Sequence, residues 1–261
     1  MREELRFQGK INSVVVSRTA DRWFASIQVD TPIQFPKHEN QVSVGIDLGI
    51  NKLATLSHGI AFEAPKPLKK LLWRLKRQSR KLSRKALGSN NSKKQIQNLA
   101  RLHMRIGNIR KDTLHKVTSF LATTYSHIGV EDLNVKGMVR NHKLARSISD
   151  VGFGEFRRQV AYKTEWRGGK IVIHDRYLPS SKKCSNCDLV KESLSLSERV
   201  FKCECSLEID RDLNAAINLN PVPKVLREFT PVEMTALRNR VHPVFVTSIT
   251  ESGNKLQLLC G

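Results

Sequence analysis

Four cysteines and three acidic residues carry the chemistry this sequence offers. Cys184 and Cys187 form a C-x2-C pair, and after a polar insert Cys203 and Cys205 form C-x-C, so four thiolates come from two tight turns. Such a set suits a closed, tetrahedral structural Zn2+ site better than a catalytic one with an open position. A pair of disulfides is the competing reading. The mostly polar surroundings argue against it, as does the opening MREELRFQGK, which lacks the apolar core of a signal peptide and makes a reducing cytoplasm the expected compartment. Asp188 and Ser206 follow the two cysteine pairs where glycine would take a positive φ, so strained turns are expected there.

The acidic residues are Asp47, Glu131 and Asp212. Asp47 ends the apolar alternation of Val42, Val44 and Ile46, and Glu131 stands in the same way after Ile128 and Val130. A carboxylate at the end of a buried strand loses its water, so each needs a cation nearby. Asp132 competes with Glu131, but successive side chains of a strand point to opposite faces, and Glu131 is the one expected to face Asp47. Asp212 belongs to Asp210-Arg211-Asp212, after which DLNAAINL reads as a helix, and is expected at or near its N-cap, where free N–H groups keep it ionised. Hard carboxylate oxygens with no His or Cys among them suit Mg2+ or Mn2+. Two such ions about 4 Å apart can activate a water and stabilise the leaving 3′-oxygen in phosphodiester hydrolysis. His174 and Asp175, at the end of KIVIHDRY, are open to two readings, assistance in catalysis or a satisfied structural pair, and the structural pair is the one expected.

These residues need strands and helices to bring them together. INSVVVSRT and RWFASIQVD alternate across the turn Ala20-Asp21 and predict a hairpin, too small to bury a core alone and so the tail of a larger domain. After an extended linker with Pro32 and Pro36, three strands are predicted around Val42–Asp47, Lys52–Ser57 and Ile60–Phe62. A helix is predicted from Phe153 to Trp166, followed by the strand KIVIHDRY. In the tail, FTPVEMTALRNRV reads as a short helix and VFVTSI as a strand, with Cys260 left outside the metal arithmetic.

Charge marks the partner. The chain of 261 residues carries 45 Lys and Arg against 24 Asp and Glu, a net +21. From Lys66 to Lys116 there are 17 basic residues and one acid, Asp112, so that segment alone supplies +16. Nucleic acid is the expected counterion. Leu68, Leu71, Leu72, Leu75 and Leu82 form one apolar stripe; Ile96, Leu99, Leu102, Ile106 and Ile109 form a second, and Gly88–Ser92 interrupts them. A helical hairpin with its charges outward follows, and the residues expected to contact phosphates are Lys69, Lys70, Arg74, Arg77, Arg80, Lys81, Arg84, Arg101 and Arg105. Trp73 is open to two readings, a core residue or a platform for a base. No run of about eighteen apolar residues predicts a membrane span.

GIDLGINKLATLS, VEDLNVKGM, GFGEFRRQVAYKTEWRGGKIV, PSSKKCSNC and EIDRDLNAAINL together resemble the TnpB (OrfB) family of insertion-sequence proteins, relatives of the type V CRISPR effectors. The resemblance covers residues 10–220. It implies an α/β fold of the RNase H-like, RuvC type: a mixed five-stranded sheet over residues 41–63, 120–182 and 206–220, with a basic helical hairpin inserted at 64–119, a zinc ribbon at 183–205, a partial N-terminal β-barrel at 1–40 and a tail at 221–261. It also implies that Asp47, Glu131 and Asp212 are the metal-binding catalytic triad of a DNA endonuclease, and that a transposon-derived guide RNA selects the target DNA by base pairing. Family members begin with a first barrel strand and a helical recognition domain that this sequence is expected to lack. A shortened relative that binds RNA or DNA without cutting is therefore the alternative expectation.

Overall fold

The computed structural model describes residues 8–31, 37–38, 42–195 and 197–222, and the backbone of 246–248. In chain order the elements begin with strands β1 (Lys10–Thr19), β2 (Arg22–Asp30), β3 (Ser43–Leu48), β4 (Lys52–Leu56) and β5 (Ile60–Glu63). Helices α1 (Pro67–Ser83) and α2 (Asn90–Thr124) follow, then β6 (His127–Glu131), α3 (Val135–Val139), α4 (His142–Val151), α5 (Phe153–Trp166) and β7 (Lys170–His174). The chain continues through β8 (Val200–Lys202), β9 (Glu208–Asp210) and α6 (Arg211–Asn218) to β10 (Val246–Ser248). Apart from β10, the expected tail elements and Cys260 lie outside the described residues.

The chain divides into two compact units, Met1–Phe35 with Pro67–Asp112, and Pro36–Lys66 with Thr113–Gly261, so that α2 contributes to both. In the first unit β1 and β2 pair antiparallel across a turn in which Ala20 takes φ 57°. Both faces of this hairpin are open, with Val16, Trp23 and other large apolar side chains exposed. α1 starts on Pro67, whose fixed φ and missing N–H suit the first helical position. Gly88, at φ 79°, turns the chain into α2, and Gln95 Nε2 ties the helical hairpin by donating to Gln78 Oε1 at 2.7 Å and to Gln78 O at 3.0 Å.

The second unit is built on a six-stranded mixed sheet in the order β10-β5-β4-β3-β6-β7. β3, β4 and β5 form an antiparallel meander, whereas β3, β6 and β7 run parallel. Strand parity explains its two faces. Val44, Ile46, Ile128 and Val130 turn one way into a core with Leu114, Val117 and Leu121 of α2, Ile148 and Val151 of α4, and Phe153, Phe156 and Val160 of α5. Gly45 and Gly129 turn the other way, onto α6. A Cβ on Gly45 would lie 2.0 Å from Ala216 O, and one on Gly129 would lie 1.8 Å from Leu219 O. Gly45 lets α6 lie directly on β3, with β4 beside it, and Gly129 lets the chain that follows α6 pass close over β6.

Candidate metal centre and nucleic-acid interface

Asp47 is two residues beyond Gly45 and Glu131 two beyond Gly129, so both carboxylates share the face on which α6 lies. The parallel register pairs Ile46 with Val130, which sets Asp47 and Glu131 side by side at the ends of neighbouring strands. Asp212 is four residues before Ala216, one helical turn nearer the same strand ends. Three distant stretches of sequence thus bring their carboxylates to one end of the sheet, near enough to act on one another by charge. The electrostatics agree: loss of water raises the Asp47 carboxyl well above its ordinary value, and the charges of Asp212 and Glu131 raise it further. Glu131 is raised too, first by burial and then by Asp132.

The helix start settles which of the two aspartates is the cap itself and which lies near it. Asp210, not Asp212, is the N-cap of α6, and its side chain accepts hydrogen bonds from the N–H groups of Asp212 and Leu213. Asp212 lies in the first turn, because an N-cap side chain bonds the second and third helical N–H groups. Its carboxylate still faces the positive end of the helix.

Asp132 points away from the cluster, as parity requires, and is held by Arg157 and Arg176, whose guanidinium groups keep its carboxyl below the usual range. Sequence reasoning did not find those two arginines. His174 and Asp175 do not pair with each other: His174 Nε2 is 2.9 Å from Leu219 O, while Asp175 Oδ1 accepts from Tyr177 N at 2.7 Å.

The four cysteine sulfurs all lie within 4.8 Å of one another, and none forms a disulfide. Zn–S bonds of 2.3 Å in tetrahedral geometry place sulfurs about 3.8 Å apart. The observed Sγ–Sγ distances are 3.7 Å for Cys184–Cys205 and 3.5 Å for Cys187–Cys203, so the donor set fits Zn2+. Each pair sits in a tight turn: Asp188 N donates to Cys184 O at 3.1 Å, and Ser206 N to Cys203 O at 3.1 Å. Asp188 and Ser206 take φ of 64° and 67°, left-handed conformations that disfavour a side chain. The Leu207 N–H above all, helped by hydrogen bonds from Cys187, Cys203 and Asn186, draws the Cys205 thiol down to about 6.

The cysteine turns and α6 form one body. Cys184, Phe201, Ile209 and Leu213 share a small core. Asn214 Oδ1 accepts from Ser185 N at 2.9 Å, Asn214 Nδ2 donates to Lys183 O at 2.7 Å, and Asn218 Nδ2 donates to the same carbonyl at 2.6 Å. Two asparagines four apart on one helical face were the sequence signal for this attachment, and periodicity of apolar residues does not reveal it.

In the first unit all nine of the basic residues singled out from sequence are exposed. Arg22, Arg101 and Arg105 also line an open cleft of about 510 Å3, where Asp21 holds Arg101 at 2.8 Å. Trp73 is not a core residue: it is 69% exposed, with the Arg77 guanidinium 4.5 Å over its ring.

Residues 26–142 match the family described as "Probable transposase", and residues 153–219 match the "Cas12f1-like, TNB domain". Over 208 residues the chain is 42% identical to a Streptomyces pristinaespiralis protein named "Putative RNA-guided DNA endonuclease", covering 79% of this chain and 52% of that protein. It is 37% identical over 235 residues to the Escherichia coli K12 protein named "Putative RNA-guided DNA endonuclease InsQ", covering 84% of this chain and 58% of the relative. The chain therefore spans about half the length of the curated relatives it matches. A cryo-EM structure titled "CRISPR-Cas12f Ternary Complex" aligns with a TM-score of 0.51 at 20% identity, over 77% of this chain and 42% of that one, which shows a shared fold.

Proposed function

The chain belongs to the TnpB (OrfB) family, and from that premise we propose that it is an RNA-guided, metal-dependent DNA endonuclease with Asp47, Glu131 and Asp212 as its catalytic centre. The observation that carries the reading is the convergence of these three carboxylates on one sheet end, where burial and the charges of Asp212 and Glu131 penalise the ionised Asp47 until a cation arrives. The strand order, a three-stranded antiparallel meander extended by two parallel strands from its first member, supports an RNase H-like, RuvC-type core.

Mg2+ or Mn2+ held by the triad would supply a water activated for in-line attack and neutralise charge at the leaving 3′-oxygen, two ions sharing the work. The chain's own part is placement. β3 and β6 fix Asp47 and Glu131 in register, and the cap on α6 fixes Asp212 beside them. The cysteine turns hold Zn2+ in a structural role and steady α6 from its other side. The exposed basic helices α1 and α2 bind guide RNA and target DNA through backbone phosphates, so that sequence selection comes from base pairing.

The test is cleavage by the chain co-expressed with RNA transcribed from the flanks of its own gene. DNA matching that RNA should be cut, and DNA with a scrambled match should not. Tight, salt-sensitive RNA and DNA binding without cutting would make the chain a binding protein instead and overturn the nuclease reading.

A further inference from the structure

Asp210 and Asp212 are two residues apart, and the charge of each raises the Asp47 carboxyl. Their oxygens are nonetheless engaged very differently. Asp210 Oδ1 accepts from Asp212 N at 3.0 Å and from Leu213 N at 3.1 Å, while its Oδ2 accepts from Lys52 Nζ at 3.3 Å. Both of its oxygens are committed. The Asp212 carboxylate has only longer ion contacts among the described residues, with Lys52 Nζ 4.0 Å from Oδ2 and Arg211 Nε 3.8 Å from Oδ1. Lys52 enters from β4, the strand hydrogen-bonded to β3 on the side away from Glu131, and at 23% side-chain exposure it is largely withdrawn from solvent.

We infer that Lys52 is a positioning residue that assigns the two aspartates their roles. By occupying Asp210 Oδ2 it keeps that carboxylate on the helix cap and out of the metal centre, which leaves Asp212 to serve as the ligand. This rests on the reading of Asp47, Glu131 and Asp212 as a divalent-cation site. Without the ammonium group, Asp210 keeps one oxygen on the cap and frees the other beside the carboxylates of Asp47, Glu131 and Asp212. The cluster becomes more negative by one charge and gains a fourth donor, so a cation binds it more tightly, in an arrangement shared with the wrong aspartate.

The experiment is a titration of the full chain with Mn2+ alone, free ion being read by electron paramagnetic resonance, beside cleavage rates. Lys52→Gln should tighten Mn2+ binding by roughly tenfold, since removing a charge a few ångströms away changes the local potential by that order. The same variant should cleave more slowly. Adding Asp210→Asn to Lys52→Gln should return the affinity to its original value, and Lys52→Arg should leave it unchanged. A merely structural lysine predicts the opposite, unchanged or weaker Mn2+ binding in Lys52→Gln, and that result overturns the inference. Should Lys52→Gln not fold, Asp210→Asn alone decides: retained Mn2+ binding supports the assignment, and lost binding makes Asp210 a ligand and ends it. An unsubstituted chain that binds no Mn2+ defeats the metal centre itself, which is distinct from a chain that binds it and does not respond to Lys52.

Discussion

Asp47→Asn should lower the cleavage rate at least about a thousandfold while raising the melting temperature of the metal-free protein, because the residue that serves the reaction also opposes the fold. Asp47 lies in the β3 strand that anchors the sheet, and burial together with Asp212 and Glu131 holds its carboxyl well above the ordinary aspartate value near 3.8. The folded state therefore binds a proton more readily than the unfolded chain does. Its stabilising contribution is fully present below about pH 3.8 and is lost as the pH rises through the folded value. Near neutrality, without a divalent cation, the carboxyl is a burden, through its charge or through the proton it must take up, and an amide of the same shape removes it. The melting temperature should rise by several degrees in chelator. In saturating Mg2+ the order should reverse, because only the original carboxylate gains from the ion. Melting curves of the two proteins at several pH values, with and without Mg2+, check both signs; equal curves in all conditions would remove Asp47 from the centre.

The second large effect concerns a site that touches no substrate. Cys187→Ser should cost about two orders of magnitude in cleavage, since a displacement of about 1 Å in a catalytic group has that consequence. The route runs through α6. Loss of one thiolate releases Zn2+, the two turns lose what holds their sulfurs together, and the Asn214 and Asn218 hydrogen bonds to Ser185 and Lys183 lose their fixed partners. Asp212 sits on the same short helix as those asparagines. The zinc content should fall from one ion per chain to none, and extra Mg2+ should not restore the rate. A variant that loses its zinc and still cuts at the original rate would show that α6 is held by its packing on β3 and β4 alone.

Much of this arrangement was legible in the sequence, for physical reasons that can be named. Alternation sets the faces of β3 and β6, so the neighbourhood of Asp47 and Glu131, and the opposite facing of Asp132, follow from parity alone. The cysteine spacing announced four convergent sulfurs, and Asp188 and Ser206 showed where the turns would be strained. What stayed hidden depends on contacts between segments far apart in the chain. Lys52 and Asp210 are separated by 158 residues, and no local pattern joins them. The sequence places Asp212 at or near the cap of α6 but does not separate it from Asp210, because the two are equally good caps by type. Only the fold decides, since Asp210 ends β9, where the backbone is still extended. Trp73 was ambiguous because it adjoins an apolar stripe, and its exposure beside Arg77 shows that adjacency on a helix is not membership of its buried face.

The central claim is that Asp47, Glu131 and Asp212 together hold the divalent cation that makes this chain a nuclease. Anomalous diffraction from crystals soaked in Mn2+ tests it most directly. The account predicts density for Mn2+ among the carboxylates of those three residues, with Asp210 still bound to Lys52 and to the first turn of α6. Mn2+ seated on Asp210, or absent from the strand ends while bound elsewhere, would contradict it.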